Sequence, residues 1–245
     1  KLIMCSSCKL VQISKNFSLN YMYNQDYGYR TGINHTMTNH VKKLVKKIST
    51  ICNLKKKDFV LDIASNDGTL LNSYSSKIVK IGVDPLIKKY KKNYKNIKYK
   101  YSDFFSKKLL SKKIIQKKIK VITALSVFYD LKEPNIFLKE ISSVIDNNKG
   151  IFVLEHADLL SIIKNNLFDT ICHEHLAYYS VNIVNEMCKK NNLKIFDIET
   201  NDINGGSTRF YISHKNAKYK IQNSKIKKFI KIETRYKINE LIAYK

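Results

Sequence analysis

The chain has 245 residues, 44% of them hydrophobic, which is enough for one α/β domain with a large core. Its formal net charge of +25 by itself indicates nucleic acid or an anionic membrane as a partner. However, only three of the 45 basic residues are arginine, and the lysines are scattered along the chain. This pattern favours a solvated surface over a specific nucleic-acid site. No apolar run approaches the roughly 20 residues of a membrane span, so we expect a soluble, cytoplasmic protein with no membrane partner.

The first motif is a pair of cysteines, Cys5 and Cys8, with the CxxC spacing of one half of a tetrahedral zinc site. The sequence supplies no second pair at a plausible spacing. Either the pair is coincidental or its partners lie in a segment that precedes this chain. A disulfide framework is not expected, because the count of five cysteines is odd and no secretion signal is present.

An aromatic segment follows, from residue 17 to residue 30, and leads through Thr31 and Gly32 into an amphipathic helix predicted at residues 39–51. Its tyrosines are Tyr21, Tyr23, Tyr27 and Tyr29. Such tyrosines are most often packed with their hydroxyl groups in water. A helix that leads into a nucleotide-binding domain can also form a lid, so residues 17–51 are assigned as an aromatic segment and lid helix.

The rest of the chain alternates apolar strands with helices, which predicts a doubly wound, Rossmann-like parallel sheet of the α/β class. The predicted strands are residues 59–64, 78–83, 99–101, 121–125, 150–154, 193–199 and 208–213. The predicted helices are residues 68–74, 133–145, 181–190 and 220–244. The last two strands are joined by a short turn with two glycines, so we expect them to pair antiparallel and close the edge of the sheet.

The turn after the first of these strands has the composition of a cofactor-binding loop, with Asp62 near the strand end and small or polar residues up to Gly68. It lacks the GxGxxG spacing, and Asp62 would repel a pyrophosphate. An acidic residue here suits a cationic, hydroxyl-rich ligand, and S-adenosylmethionine fits that description.

Further candidate contacts follow the next strands. Asp84, at the tip of the second strand, is placed to accept hydrogen bonds from a ribose diol. Asp103 and Phe104, after the third strand, suit the amino group and the ring face of adenine. The remaining candidates for the cofactor are Ala64, Asn66 and Ser126. We assign residues 52–216 as the S-adenosylmethionine-binding domain.

A second motif, His173-Glu174-His175, offers chemistry for the acceptor. The HExxH spacing of zinc hydrolases is absent, although in an extended loop the two histidines could share one side and bind a metal. A purely structural histidine is the other alternative. The preferred interpretation is a general base, because imidazole titrates near neutral pH and an adjacent carboxylate raises its basicity.

These motifs together resemble the class I methyltransferase family that includes the nucleotide-sugar C-methyltransferases of deoxysugar biosynthesis. The matching residues are 5–12, 27–32, 60–71, 168–175 and 201–207 with Arg209. The resemblance implies a methyltransferase domain between a four-cysteine zinc module and a second α/β domain. It therefore implies that residues 1–16 are a remnant of the zinc module, that zinc is a ligand of a longer protein, and that residues 217–245 link to a further domain.

The resemblance also implies a reaction in which a base removes a proton beside the keto group of a nucleotide-linked sugar, whose carbon then accepts the methyl group. His175 matches the base, Glu174 its neighbouring carboxylate, and Tyr29, or less well Tyr27, a lid tyrosine. Relatives can carry a histidine after the fourth strand, where this chain has Phe128-Tyr129-Asp130, and Tyr129 could stabilise an enolate. The alternatives are an O- or N-methyltransferase on another metabolite or RNA, and a non-catalytic fragment that binds only the cofactor. The oligomeric state stays open.

Overall fold

The structure is a computed structural model that describes residues 1–15, 18–24 and 26–244. In these residues the strands are β1 (Leu2–Met4), β2 (Val11–Ile13), β3 (Phe59–Ile63), β4 (Val79–Val83), β5 (Tyr99–Tyr101), β6 (Val121–Leu125), β7 (Ile151–Ala157), β8 (Ala177–Tyr178), β9 (Leu193–Asn201) and β10 (Ser207–His214). The α-helices are α1 (Leu19–Met22), α2 (His35–Ile51), α3 (Thr69–Asn72), α4 (Lys112–Lys117), α5 (Pro134–Val144), α6 (Leu159–Lys164), α7 (Val181–Lys190) and α8 (Asn223–Arg235).

The main sheet has seven strands in the order β5-β4-β3-β6-β7-β10-β9 in the described part of the chain. The first five run parallel, and β10 is antiparallel to both of its neighbours. This confirms the predicted Rossmann-like α/β fold. The antiparallel strand lies one place inside the edge, because all eight residues of β10 are buried, whereas β9 mixes buried and partly exposed residues and suits the edge.

Both faces of the sheet are covered by helices, as a doubly wound fold requires. On one face, Leu61 and Ile63 of β3 pack with residues of α4, α5 and α7. On the other face, Val60 packs with residues of α2 and α3. The sheet is thus buried on both faces, and the loops that follow the parallel strands line up along the carboxyl ends of those strands, called the loop edge below.

Helix α2 belongs to the second face of this core rather than standing apart as a cover. Its apolar side, Val41, Leu44, Val45 and Ile48, is buried. The helix begins four residues earlier than predicted, because the Asn34 side chain accepts a hydrogen bond from the Met37 amide at 3.0 Å and caps the first turn. The stretch before α2, residues 18–24 and 26–34, contacts the loops after the strands through Tyr23 and residues 29–32 and is called the covering segment below.

Two predicted helices end earlier in the structure, and one small sheet was not predicted. Helix α3 is a single turn that ends at Asn72 rather than continuing to residue 74, and the C-terminal helix ends at Arg235, followed by a 3₁₀ turn at Leu241–Tyr244. The small sheet of β1, β2 and β8 joins two short strands near the start of the chain to a segment far along it, a pairing that the sequence does not indicate. The predicted end of the zinc-module remnant at residue 16, the predicted start of the aromatic segment at residue 17 and the end of the last segment at residue 245 lie outside the described residues.

None of the described helices combines the length and the apolar composition that crossing a membrane requires.

Candidate functional site

The loop after β3 forms the floor of the site, at the carboxyl ends of the parallel strands. Its backbone is left-handed at three residues, Ala64 (φ 56°), Asn66 (φ 49°) and Gly68 (φ 78°). Left-handed backbone costs about 1 kcal/mol or more at an alanine, so this shape is held by its surroundings rather than by local preference. At Gly68 a Cβ would lie only 3.3 Å from the Tyr94 ring, so both the left-handed backbone and the tight contact favour glycine there.

Asp62 lies beneath this loop and is buried, with 4% of its surface exposed. The register of β3 and β6 places it opposite Thr123, whose hydroxyl group donates a hydrogen bond to the carboxylate at 2.5 Å. Burial raises the pKa of Asp62 to about 7, the Thr123 hydrogen bond opposes that rise, and the nearby charge of Asp84 adds to it. In the described chain no cation acts on this carboxylate.

Asp84 follows β4 and is also buried. One carboxylate oxygen accepts the Leu86 amide at 2.7 Å, and the other accepts the Asn66 amide of the loop at 2.8 Å. Burial raises the pKa of Asp84 to about 6, against the effect of these two hydrogen bonds. Asp84 therefore fixes the loop shape, and each of its oxygens keeps a lone pair for a further donor.

Asp67, which sequence analysis missed, fastens the covering segment to the loop. It is fully buried. It accepts hydrogen bonds from Arg30 Nε and from the Gly32 amide, both at 3.0 Å, and from the Thr69 hydroxyl at 2.6 Å. A Cβ at position 32 would lie 2.5 Å from the Asp67 carboxylate, which explains the glycine.

Asn66 adds two further hydrogen bonds between the covering segment and the loop. Its side chain accepts the Thr31 amide at 2.9 Å and donates to the Tyr29 carbonyl at 3.1 Å. These contacts join residues more than thirty positions apart. The sequence analysis noted Thr31 and Gly32 only as the link to the next helix and did not predict their contact with this loop.

The remaining cofactor candidates lie around the rim. Asp103 is exposed, and its carboxylate accepts the Phe104 amide at 2.7 Å. The Phe104 ring meets the edge of the Tyr23 ring, with 6.5 Å between centroids. Ser126, after β6, is left-handed (φ 53°) and brings its hydroxyl group towards Tyr129. The structure thus gathers all the sequence-predicted cofactor residues at one edge, with Asp103 the most open to solvent.

His175 lies at the same edge in the loop before β8. Its Nδ1 atom is 2.6 Å from the Thr170 carbonyl, which can only accept, so Nδ1 carries the proton and Nε2 keeps its lone pair. Burial lowers the pKa of His175, although the Thr170 carbonyl and the charge of Glu174 oppose the change. The ring is therefore neutral near pH 7 and suited to accept a proton. A backbone carbonyl orients the ring, and Glu174 acts on it through charge.

One of the candidate tyrosines packs on His175. The Tyr129 ring lies 4.1 Å from the imidazole, centroid to centroid, and is buried. Tyr29 is 46% exposed and lies over the cofactor loop near Asp67. Burial raises the pKa of Tyr27, and the charge of Glu174 adds to that rise. Of the two lid tyrosines weighed from the sequence, the structure thus brings Tyr27 closer to Glu174.

Cys5 and Cys8 lie in the turn between β1 and β2. The backbone amides of Cys8 and Ser7 lower the pKa of the Cys5 thiol, as in a metal-binding knuckle. Within the described residues, however, no group of three or more histidine, cysteine, aspartate or glutamate side chains could hold a metal ion. The structure therefore does not support the predicted zinc site in this chain.

A buried ion cluster holds α2 against the end of the sheet. Arg209 of β10 donates to Glu155 of β7 at 2.5 Å, and His40 of α2 lies 2.6 Å from the other oxygen of that carboxylate. Burial alone would raise the pKa of Glu155, but His40 and Arg209 outweigh it and lower the pKa. The arginine that the sequence motif highlighted is thus explained by an internal ion pair.

No protein-family profile matches the chain. C-methyltransferase NovU of Streptomyces niveus is 22% identical over 210 residues, which cover 84% of this chain and 49% of NovU. The chain therefore spans about half the length of the curated relative that it matches.

Several solved structures resemble the chain in fold at low sequence identity. Magnesium protoporphyrin IX methyltransferase (ChlM) of Synechocystis PCC 6803 with bound SAH has a TM-score of 0.56 at 12% identity, over 77% of this chain and 90% of that one. The chain has the class I methyltransferase fold. An S-adenosylmethionine-dependent methyltransferase of Clostridium acetobutylicum has a TM-score of 0.55 at 13% identity, over 72% of this chain and 92% of that one. ChlM with bound SAM has a TM-score of 0.53 at 14% identity, over 72% and 79% of the two chains.

The residues at the loop edge of this methyltransferase fold suit S-adenosylmethionine. Asp62 and Asp84 are two buried carboxyl groups whose pKa burial raises, and no cation of the described residues offsets them. A ligand with an ammonium group and a ribose diol would satisfy both. Asp62 would hold the cationic part and Asp84 the diol, while bound S-adenosylmethionine supplies a methyl group on a sulfonium.

We expect the affinity for S-adenosylmethionine to rise with pH. Because burial raises both carboxyl pKa values, the free protein holds extra protons up to about pH 6 for Asp84 and about pH 7 for Asp62. A cationic ligand favours the ionised forms, so binding releases protons in this range and tightens between about pH 5.5 and about pH 7.5. Calorimetry in buffers of different ionisation enthalpy measures that release.

The control for this prediction is Asp58→Asn, at the opposite end of β3, which should keep the full pH dependence. Asp62→Asn should lose the part of the pH dependence near pH 7, which belongs to Asp62, and keep the part near pH 6, which belongs to Asp84. Affinity that stays flat across the range in the wild-type protein would contradict the assignment of Asp62.

Proposed function

We propose that this protein is an S-adenosylmethionine-dependent C-methyltransferase that acts on a carbon beside the keto group of a nucleotide-linked deoxysugar. The observation that carries the proposal is the neutral imidazole of His175, whose Nε2 is free to accept a proton at the edge that also holds the cofactor residues. The likeness to C-methyltransferase NovU supports the reaction type. The nucleotide-linked sugar rests on the resemblance of residues 168–175 and 201–207 to the enzymes of deoxysugar biosynthesis.

A carbon beside a ketone becomes a nucleophile only when it loses a proton, so this reaction needs a base. The Thr170 carbonyl holds His175 in the tautomer that leaves Nε2 unprotonated. When Nε2 takes the proton, the charge of Glu174 stabilises the resulting imidazolium. The buried Tyr129 ring packs against the imidazole and fixes its plane. Methylation of an oxygen or nitrogen that already bears a lone pair has less need of such a base.

The test uses S-adenosylmethionine with a labelled methyl group and a thymidine diphosphate-linked keto-deoxysugar as the probe. We expect label in the sugar on a carbon–carbon bond, located by NMR. The matched control is the same nucleotide sugar with its keto group reduced to a hydroxyl group, which should receive no label. Label on oxygen of the reduced sugar, or in RNA offered as a competing acceptor, would overturn the proposal.

A further inference from the structure

Asp130 is a buried carboxyl group that the steps above do not use. It ends the 3₁₀ turn Phe128–Asp130 after β6, with 3% of its surface exposed. The Tyr23 hydroxyl group donates to its Oδ2 atom at 2.7 Å, whereas its Oδ1 atom has no hydrogen-bond partner among the described residues. A buried polar atom without a partner lowers stability, so such an atom is a candidate for a contact made by a ligand.

The surroundings of Asp130 favour its protonated form. Burial raises the pKa of this carboxyl group well above its usual range, the Tyr23 hydrogen bond opposes the rise, and the charge of Glu174 adds to it. No cation in the described chain acts on it. The side chains that an ionised Asp130 would act on are neutral phenols and supply no compensating positive charge: Tyr23, Tyr27, Tyr129, Tyr178 and Tyr179. These surroundings favour the protonated carboxyl group, which has an O–H bond to donate.

Asp130 also lies in the right part of the molecule to meet an acceptor. Its immediate neighbour in the chain, Tyr129, packs against His175, and Glu174 is close enough to act on it through charge. Its partner Tyr23 belongs to the covering segment that precedes α2. The carboxyl group thus stands between the covering segment and the loop of the base.

We propose that Asp130 carries a proton and donates a hydrogen bond from it to the keto oxygen of the acceptor, a role that rests on the proposed function. As His175 Nε2 takes the proton from the adjacent carbon, the electron pair of that C–H bond forms the enolate, and its negative charge develops on the oxygen that Asp130 faces. A neutral acid held in a buried site is an effective donor to such an oxygen.

The remaining steps transfer the methyl group and regenerate the carbonyl group. S-adenosylmethionine supplies the methyl group as an electrophile, which the enolate carbon takes while the electron pair of the broken S–C bond stays on sulfur. The electron pair on the oxygen returns to form the carbonyl group, Asp130 keeps its proton, and the proton on His175 passes to water. Asp130 therefore acts as a donor throughout and needs no net change of protonation.

The first test reads the protonation of Asp130 without any substrate. An infrared difference spectrum between the wild-type protein and Asp130→Asn near neutral pH should contain a carboxylic-acid carbonyl band from the wild type that shifts in D₂O. A carboxylate band in its place would show an ionised Asp130 and overturn the proposal, whatever the acceptor is.

The second test follows deuterium entry from D₂O at the carbon beside the ketone of the thymidine diphosphate-linked keto-deoxysugar, with S-adenosylhomocysteine present so that no methyl group moves. Asp130→Ala should slow the exchange by about 10²-fold to 10³-fold, as loss of one oxyanion donor does. Asp130→Asn keeps an N–H donor of the same shape and should lose only about tenfold. Equal losses in the two variants, or an Asp130→Ala variant at the wild-type rate, would overturn the donor role.

The failure of the proposed function gives a different pattern. If the wild-type protein exchanges no proton of the ketone, both the sugar substrate and the keto contact are wrong, whereas the infrared band separately decides whether Asp130 is protonated. His175→Ala should abolish exchange and leave the band in place. Should Asp130→Ala fail to fold, Tyr23→Phe, which frees Oδ2 and leaves the carboxyl group, should slow exchange without removing the band.

Discussion

Replacing His175 with alanine should lower turnover by about 10²-fold to 10⁴-fold, the usual contribution of a positioned general base. The affinity for S-adenosylmethionine should change less than about twofold, because the ring contacts Thr170 and Tyr129 rather than the loop after β3. Steady-state methyl transfer and calorimetry with the cofactor measure the two quantities separately.

Two companion measurements sharpen this prediction. Added imidazole should restore part of the activity of His175→Ala, since a small base can occupy the space that the side chain leaves. The matched control is His214→Gln. Ser207, the first residue of β10, pairs with Ala157 at the carboxyl end of β7, so His214 at the other end of β10 lies away from the loop edge. Unchanged turnover in His175→Ala, or an equal loss in the control, would rule out the general base.

Replacing Asp84 with alanine should weaken cofactor binding by about 10²-fold, because the ribose diol loses a charged acceptor and the loop loses the anchor of the Asn66 amide. Two buried backbone amides, at Asn66 and Leu86, would remain without their acceptor. Asp84→Asn keeps one acceptor oxygen and should lie between the wild type and the alanine variant. Calorimetry with S-adenosylhomocysteine gives the affinity.

The control for Asp84 is Ser102→Ala, which removes a hydrogen bond to the Pro85 carbonyl in the same turn and leaves the carboxylate untouched. Its affinity should stay near that of the wild type. If both variants weaken binding equally, the turn as a whole and not the Asp84 carboxylate is responsible.

The sheet could be predicted from sequence because buried parallel strands appear as short apolar runs between turns. The predicted bounds of β5, β6 and α7 coincide with the structure. The sequence did not predict that β10 lies inside the sheet and β9 at its edge, because that order depends on which of the two strands buries more surface. Helix α8 was predicted too long for a related reason: Lys237 adopts a left-handed backbone (φ 53°) that its lysine-rich composition does not signal.

The position of part of the candidate site could be predicted from the sequence, as with Asp62, which lies near the end of a buried strand. Asp67 was missed because its partners Arg30 and Gly32 lie 35 or more positions away in sequence. In the sequence, Asp130 was noted only as part of the segment Phe128-Tyr129-Asp130, where relatives can carry a histidine. Its burial, and hence its protonation, depends on the fold of Tyr23 over it and is not a property of the residue type.

The attachment of the covering segment to the loop after β3 has a consequence for the timing of the reaction. Four hydrogen bonds to Asp67 and Asn66 hold residues 29–32 on the loop that carries the cofactor residues. At about 1 kcal/mol net for each bond, on the order of one molecule in a thousand would have the segment detached. If the ligand passes only through that detached state, its entry and exit depend on this rare opening.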